Sequence, residues 1–213
     1  MFSAVEINST FHRPHRASTF ERWAATVPSS FRFSVKLPRD ITHDQRLSGT
    51  RARVDEFLGE LSPLGTRLDC LLVQLPPSLA LDARVARPFL THLRERFAGC
   101  IALEPRHASW FTPAADAMLE ALHVARVAAD PPRAPHGFEP GGWKGLAYFR
   151  LHGSPRVYYS SYDDAFIDAM GRRLRALGHA GIPCWCIFDN TTLGAGTANA
   201  LALTQRLAGR QRA

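Results

Sequence analysis

Apolar segments that end abruptly in charged or amide side chains recur along this chain and constrain its fold most. In residues 101–111 an apolar run stops at Glu104, Arg106 and His107. The same design recurs in residues 5–10, 33–37, 71–76, 127–130, 148–153 and 186–190. Parallel strands of β/α folds gather polar groups at their carboxyl ends, where such folds build their sites. The pattern therefore predicts a polar edge shared by several parallel strands.

Helix-forming segments separate these apolar runs. Strands are predicted near residues 4–9, 31–37, 68–75, 101–105, 124–129, 145–152 and 183–189. Helices are predicted near residues 17–26, 51–61, 82–97, 114–122, 162–177 and 195–208. Such alternation implies a parallel sheet, so we predict an α/β fold: a TIM-type β/α barrel forming a single domain over residues 1–213. The competing architecture, an open doubly wound sheet, lacks a supporting Gly-x-Gly-x-x-Gly motif.

Composition narrows the class of protein and of partner. The 213 residues are 46% hydrophobic, no apolar stretch approaches the ~20 residues of a membrane span, and the first residues lack a signal-peptide pattern. We therefore expect a soluble, cytoplasmic protein with no membrane partner.

The four cysteines fit no zinc or redox spacing and are expected to be buried and reduced. They are Cys70, Cys100, Cys184 and Cys186.

The net charge of +7 favours anionic partners. Nucleic acid is one such partner, but the arginines are scattered along predicted helices rather than massed in one run, which weakens that case.

Two long connections, residues 38–51 and 131–142, follow strand ends. The second is rich in proline and glycine and is expected to be a mobile lid over the site.

Six ordered segments of the chain resemble the YecE-like family, the domain of unknown function numbered 72. These are residues 5–11, 31–36, 74–78, 104–111, 149–153 and 188–191. The resemblance covers nearly the whole chain and implies a TIM-type barrel, but no established activity. The sequence departs from the family pattern at Pro105, where an aromatic or other apolar residue is usual, and at Asp189 before Asn190, where two asparagines are common.

A further departure lies at the start of the chain, which lacks the glycine- and tryptophan-rich strand and helix usual in the family. The resemblance therefore implies seven strands, with the first β/α unit missing. We expect an open gap between the strands at residues 4–9 and 183–189, caused by a translation start placed too far downstream. The alternatives are that these two edges pair in a smaller barrel or that a partner chain covers them.

The period of two in strands decides which side chains share the barrel mouth. Glu6 shares a face with Asn8, Glu104 with Arg106, and Arg150 with His152. We predict an enzyme that acts on a small anionic metabolite by acid–base chemistry, with Arg106 or Arg150 as the anion clamp. The predicted catalytic residues are Glu104, His152, Lys36 and Glu6. The predicted substrate-binding residues are Asn8, Gln74, Arg106, His107, Trp110, Asp130, Arg150, Tyr159, Asp189 and Asn190.

Other interpretations of these residues remain open. The same charges fit a structural ion network, a Lys36 Schiff base with a carbonyl substrate, or a divalent metal site, although no ligand spacing supports a metal and no residue is assigned to one. The protein as a whole could instead bind or process nucleic acid, or be a non-catalytic, truncated barrel. If Glu104 serves function rather than folding, Glu104→Gln should leave the melting temperature equal or higher. The oligomeric state is left open.

Overall fold

The computed structural model describes residues 2–209, which contain nine strands and six α-helices. The strands are β1 Ala4–Ile7, β2 Arg32–Lys36, β3 Leu68–Gln74, β4 Cys100–Glu104, β5 Val124–Arg126, β6 Ala128–Asp130, β7 Gly141–Gly142, β8 Ala147–Leu151 and β9 Cys184–Phe188. The helices are α1 Ala17–Ala25, α2 Arg51–Glu60, α3 Ala83–Arg96, α4 Pro113–Ala121, α5 Asp164–His179 and α6 Ala195–Ala208. Strands and helices thus alternate as the sequence predicts.

The strands form two sheets that are parallel except at one edge. The first sheet has the order β1-β2-β3-β4-β5-β7, in which only β7 runs antiparallel to its neighbour, and the second has the order β6-β8-β9. Only Val127 separates β5 from β6, and its N–H donates to the carbonyl of Leu103 at 2.9 Å. One continuous segment therefore leaves the first sheet and enters the second. The fold is α/β, with every strand that carries a predicted site residue parallel to its neighbours.

Closure of these sheets into a barrel is not observed. Within residues 2–209, no strand pairing joins β1 to β9, so both keep a free edge. Val5 of β1 is 43% exposed, and a groove of about 810 Å³ runs between the two strands, lined by Ala4, Trp185 and Ile187 among others. The pairing of these two edges in a smaller barrel, one of the sequence alternatives, is therefore wrong for the described residues.

The free edge also corrects the expectation for one cysteine. All four cysteines are free, and Cys70 is buried, but Cys184 at the start of β9 is exposed. Burial was expected because the segment around it is apolar. It fails because β9 has a neighbour on one side only.

The two long connections contain local structure that was not predicted. The 38–51 connection contains a turn of π-helix, Asp40–Asp44, that buries Ile41. In the 131–142 connection, Phe138 stacks on Phe166 of α5 with ring centroids 6.1 Å apart. The guanidinium of Arg173, also on α5, lies 5.1 Å from the centre of the Phe138 ring. These contacts hold one ring against an outer helix, while most residues of this connection are exposed or half-buried, so the mobile lid expected from sequence stays a prediction.

The helices begin at defined capping residues and cover the outer faces of the sheets. Asp82, Thr112 and Asp163 each accept a backbone N–H in the first turn of α3, α4 and α5, which satisfies donors that would otherwise lack partners. Phe20, Phe57, Leu90 and Leu119 pack in one core under the first sheet, and Ile167 and Leu203 in another under the second. Each such fully buried side chain stabilises the fold by about 1.5–3 kcal/mol. No described helix is both long and apolar enough to cross a membrane.

Candidate functional site

A buried arginine, Arg150 of β8, gathers carboxylates from three other parts of the chain. Its guanidinium donates to Glu6 at 2.8 Å, to Glu104 at 2.6 Å and to Asp189 at 3.0 Å. The side chain is 1% exposed. Five N–H donors in a rigid plane allow one arginine to bind several carboxylates at once. Arg150 thus holds together the ends of β1 and β4 and the residue that follows β9.

His152 lies between two of these carboxylates. Its Nε2 is 3.1 Å from Oε1 of Glu104, and its Nδ1 is 3.0 Å from Oδ2 of Asp189. Burial alone would lower the pKa of His152, but the hydrogen bonds to Asp189 and Glu104 outweigh it, so the pKa is raised. Because both ring nitrogens face carboxylates, the imidazolium is the favoured form.

The two carboxylates around His152 differ in access to solvent. Glu104 is buried, and although burial alone raises its pKa, the charge of Arg150 and the hydrogen bond with His152 hold that pKa well below its usual range. Gln74 also donates to Glu104, at 2.8 Å. Asp189 has 20% of its side chain exposed, and its pKa is lowered because the bond with His152 and the charge of Arg150 outweigh burial. Asp189 is therefore the member of this group that a substrate can reach.

Two buried hydroxyl groups complete the network around Glu6, and sequence reasoning missed both. The Tyr148 hydroxyl lies 2.6 Å from Oε2 of Glu6 and 2.8 Å from Oγ of Ser34. Tyr148 stands two residues before Arg150, and Ser34 two residues before Lys36, so the period of two along the strands was the signal that would have found them. Asn8 donates to Glu6 at 2.8 Å, while its Oδ1 is buried without a hydrogen-bond partner in the described chain.

Arg106 is held more loosely than Arg150. Its Nε and one terminal nitrogen both lie 3.4 Å from Oε1 of Glu104, longer than the ~2.7–2.9 Å typical of a charge-assisted hydrogen bond. The side chain is partly exposed. Arg106 therefore has donors that can turn to a ligand.

The charges of this network balance without Lys36. The network contains three carboxylates, those of Glu6, Glu104 and Asp189. They pair with three cations, which are Arg150, Arg106 and the imidazolium of His152. Three negative charges meet three positive charges, so the sum is zero. A protonated Lys36 makes the site positive, which favours an anionic ligand.

Lys36, at the end of β2, has no carboxylate within 4 Å among residues 2–209. It is 8% exposed, and its Nζ lies 3.9 Å from the centre of the Phe11 ring. Burial, followed by the charge of Arg150, lowers its pKa to about 8 despite the nearby carboxylates. His43 packs edge-on against the same ring, with centroids 4.8 Å apart. Sequence reasoning assigned no role to His43, which lies on the unpredicted π-helical turn.

Five of the predicted substrate-binding residues make their contacts elsewhere. Trp110 is buried and donates to the carbonyl of Leu79, and His107 accepts from the backbone of Ser109 at the start of a short 3₁₀ turn. The side chain of Trp110 therefore packs in the core, and that of His107 shapes the turn after β4.

The remaining three hold the loops after β6, β8 and β9. Asp130 accepts from the Tyr162 hydroxyl at 2.6 Å. Asn190 is fully buried and donates to the carbonyl of Ser160. The Tyr159 ring lies 3.8 Å beneath the guanidinium of Arg156. The contacts of Asp130 and Asn190 connect these loops to the one after β8, and the contact of Tyr159 lies within that loop.

In the described residues, no group of three His, Cys, Asp or Glu side chains is arranged to hold a metal ion. The carboxylates at the centre are occupied instead by Arg150 and His152.

On the outer surface, many arginines are paired with acidic residues on helices or their caps. Examples are Arg53 with Glu60, Arg84 with Asp82, Arg96 with Asp55 and Arg206 with Asp168.

Comparisons with known proteins agree with the resemblance in the sequence. The UPF0759 protein YecE of Escherichia coli (strain K12) is 30% identical over 112 residues, which span 52% of this chain and 40% of that protein. The UPF0759 protein YunF of Bacillus subtilis (strain 168) is 29% identical over 120 residues, which span 53% of this chain and 42% of that protein. The chain thus matches less than half the length of either relative.

Solved structures match over a larger part of the chain. A DUF72 family protein from Enterococcus faecalis superposes with a TM-score of 0.82 at 20% identity, covering 96% of this chain and 84% of that one. A DUF72 family protein from Thermotoga maritima superposes with a TM-score of 0.79 at 25% identity, covering 97% and 85%. The family model described as "Protein of unknown function DUF72" matches residues 1–213. The chain therefore belongs to the DUF72 family.

Proposed function

We propose that this protein is an enzyme that acts on a small anionic metabolite by acid–base chemistry at the carboxyl ends of its parallel strands. The observation that carries the proposal is the position of His152, an imidazolium bonded to buried Glu104 on one side and to the partly exposed Asp189 on the other. Such a chain can pass a proton between the interior and the mouth. Glu6 and Arg150 hold it in place.

The cost of the buried charges supports a functional role. Desolvating an ion costs several kcal/mol even after the protein relaxes, and apolar side chains of similar volume are often as stable as a buried ion pair. Here Arg150, Glu6, Glu104 and His152 are all buried. Perturbed pKa values in such a cluster are typical of sites that move protons.

Proton transfer would use Asp189 as the group that touches the substrate. For Asp189 to act as a base, His152 first releases its proton; Asp189 then accepts a substrate proton and passes it to the neutral imidazole across the 3.0 Å hydrogen bond. As an acid, it receives the proton of the imidazolium and delivers it to the substrate. Glu104 stabilises the charged ring throughout, because it accepts from the other ring nitrogen.

Anion binding would use Arg106 and Lys36. Arg106 has weakly engaged donors, and a guanidinium binds a carboxylate or phosphate through two parallel hydrogen bonds. Lys36 adds a positive charge to a network that is otherwise balanced. Many of the surface arginines, by contrast, are spread over the outer helices, and several of them pair with acids, which favours a small ligand over nucleic acid. The four free cysteines suit a reducing compartment such as the cytoplasm.

The test is turnover of a panel of phosphorylated and carboxylated metabolites, followed by mass spectrometry. Asp189→Asn keeps the shape of the side chain and removes its ability to carry the proton, so we expect turnover to fall by about 10²–10⁴-fold. Asp168→Asn on the outer surface of α5 is the matched control and should keep full activity. Consumption of no anionic metabolite, or equal rates for Asp189→Asn and the wild type, would contradict the proposal.

A further inference from the structure

A buried amine without a carboxylate partner is unusual, because lysine is rarely buried unless it is paired. Lys36 is in that position: the acidic groups around it are bound to Arg150, Arg106 and His152. When Lys36 is protonated, its ammonium lies over the face of the Phe11 ring. Such a cation–π contact contributes about 0.5–2 kcal/mol. The network needs no charge from Lys36, so its amine remains free for chemistry.

The surroundings of Lys36 raise the fraction of neutral, nucleophilic amine above that of an ordinary lysine, while the ammonium form still predominates at pH 7. Lysine nucleophiles are activated by desolvation in an apolar pocket or by a neighbouring cation. Lys36 has both, since Phe11 covers it and Arg150 lies nearby, and its pKa falls to about 8. On the order of 100-fold more free amine is then present at neutral pH than for an ordinary lysine, whose pKa is about 10.4.

A neutral imidazole lies beside this amine. Burial and the charge of Lys36 lower the pKa of His43 to about 4. The Thr42 hydroxyl lies 3.2 Å from the carbonyl of Pro38 and 2.9 Å from Nδ1 of His43. These distances fit either tautomer of His43, and in each tautomer one ring nitrogen of the neutral imidazole keeps its lone pair. His43 is thus a proton acceptor in the same cluster as the amine.

We propose that Lys36 is a nucleophile that forms a Schiff base with an aldehyde or ketone carrying a carboxylate or phosphate. This inference rests on the proposed function for the anionic part of the substrate, which Arg106 would bind. It adds the reacting group, a carbonyl, and assigns the covalent step to Lys36. It also gives Phe11 and His43 roles as the wall and the proton acceptor of the amine pocket.

The step balances with water as its only by-product. The Lys36 lone pair forms a C–N bond to the carbonyl carbon, and the C=O π pair moves to oxygen. His43 carries the first N–H proton to this oxygen, which gives the hydroxyl group of a carbinolamine. Protonated His43 then gives a second proton to that hydroxyl, which leaves as water as the C–O bond breaks and the nitrogen lone pair forms the C=N bond. The nitrogen returns its second proton to His43, so both protons of the water come from the amine. No oxidant or reductant is needed.

The sequence supplies an internal control, because Lys36 and Lys144 are its two lysines. Lys144 is exposed. The wild-type protein is incubated near neutral pH with glyoxylate, an aldehyde that carries a carboxylate, and any imine is trapped with borohydride. Peptide mapping then compares the rates at which the two lysines and the N-terminal amine gain the adduct. Lys144→Arg should leave the Lys36 adduct unchanged, and Lys36→Arg should abolish it.

We expect Lys36 to be labelled at least ~10-fold faster than Lys144, because its free-amine fraction outweighs its lower exposure. Labelling of Lys144 at an equal or higher rate in the wild type would overturn the inference, whether or not any variant folds. If that result came with turnover of an anionic metabolite, the proposed function would stand without Lys36 chemistry. Equal labelling of Lys36 by glyoxylate and by neutral acetaldehyde would support the nucleophile and contradict selection of an anion.

Discussion

Replacing Glu104 by glutamine removes one negative charge from the centre of the buried network and keeps the shape of the side chain. Glu104 accepts hydrogen bonds from Arg150 at 2.6 Å, Gln74 at 2.8 Å and His152 at 3.1 Å. Glutamine has one acceptor oxygen instead of two, and its NH₂ group would face donors. The variant must therefore lose at least part of the bonding to Arg150 or His152.

The expected loss of unfolding free energy in Glu104→Gln follows from the charge balance. With three carboxylates and three cations, loss of Glu104 leaves one buried positive charge in excess. Removing one partner of a buried ion pair costs about 3–5 kcal/mol. The amide oxygen still accepts one hydrogen bond, and His152 can release its proton, so we expect the lower end, about 3 kcal/mol. For a chain of this size that corresponds to a fall in melting temperature of about 6–12 °C.

The assay is thermal and urea unfolding of the wild type and Glu104→Gln at neutral pH. Glu21→Gln, an exposed position on α1, is the matched control and should change the stability by less than about 0.5 kcal/mol. The sequence alone led to the opposite expectation, an equal or higher melting temperature, because it could not show that Glu104 is bound on every side. A melting temperature of Glu104→Gln at or above that of the wild type would refute the balanced network.

Three further changes test other contacts. Tyr148→Phe removes the hydroxyl donor of buried Glu6 and should lower the free energy of unfolding by about 1–3 kcal/mol, measured by urea denaturation; no loss would mean that Glu6 does not need this donor. Because the pKa of His152 is raised in the fold, its stabilisation is complete below about pH 6.5 and is lost as the pH rises through the folded pKa. The gap in melting temperature between wild type and His152→Gln should therefore narrow as the pH rises above about 6.5 and through the raised pKa of the folded protein, and a constant gap would contradict the imidazolium. Phe138→Ala removes the ring that anchors residues 131–142 to α5, so limited proteolysis should cut this loop faster than in the wild type; an unchanged rate would show that other contacts hold it.

Local sequence patterns predicted the elements well because they depend on nearby residues. The seven predicted strands all appear, since each apolar run has a polar end that marks its limit. The division of residues 124–130 into β5 and β6 was not predictable, because it depends on the partner strand rather than on the segment. The expected burial of Cys184 was wrong for a similar reason. It depends on whether β9 has a second neighbour, which is a property of the whole chain. The unpaired edges of β1 and β9 agree with the expected gap, and the barrel stays a prediction.

In the site, too, the sequence predicted which residues share a face but not the contacts that depend on distances. The period of two correctly placed Arg150 and His152 on one face, and their contacts with Glu104 follow from the strand ends meeting. It could not show that Arg150 is fully engaged by carboxylates while Arg106 is not, because that depends on distances. Trp110 is an example of a residue that the sequence misplaced. Its position after a strand end suggested a pocket wall, but its ring packs in the core.

If the strand ends hold a self-balanced ionic network, Lys36 is left as an unpaired amine with a lowered pKa. The most direct test is a pH titration of ¹³C-labelled lysine side chains by NMR, since the two lysines give two signals and Lys36→Arg assigns them. The structure predicts a midpoint of about 8 for Lys36, and the exposed Lys144 provides the reference in the same spectrum. A Lys36 midpoint at or above about 10.4, the ordinary value for lysine, would show that a carboxylate of the network binds this amine and would contradict the account.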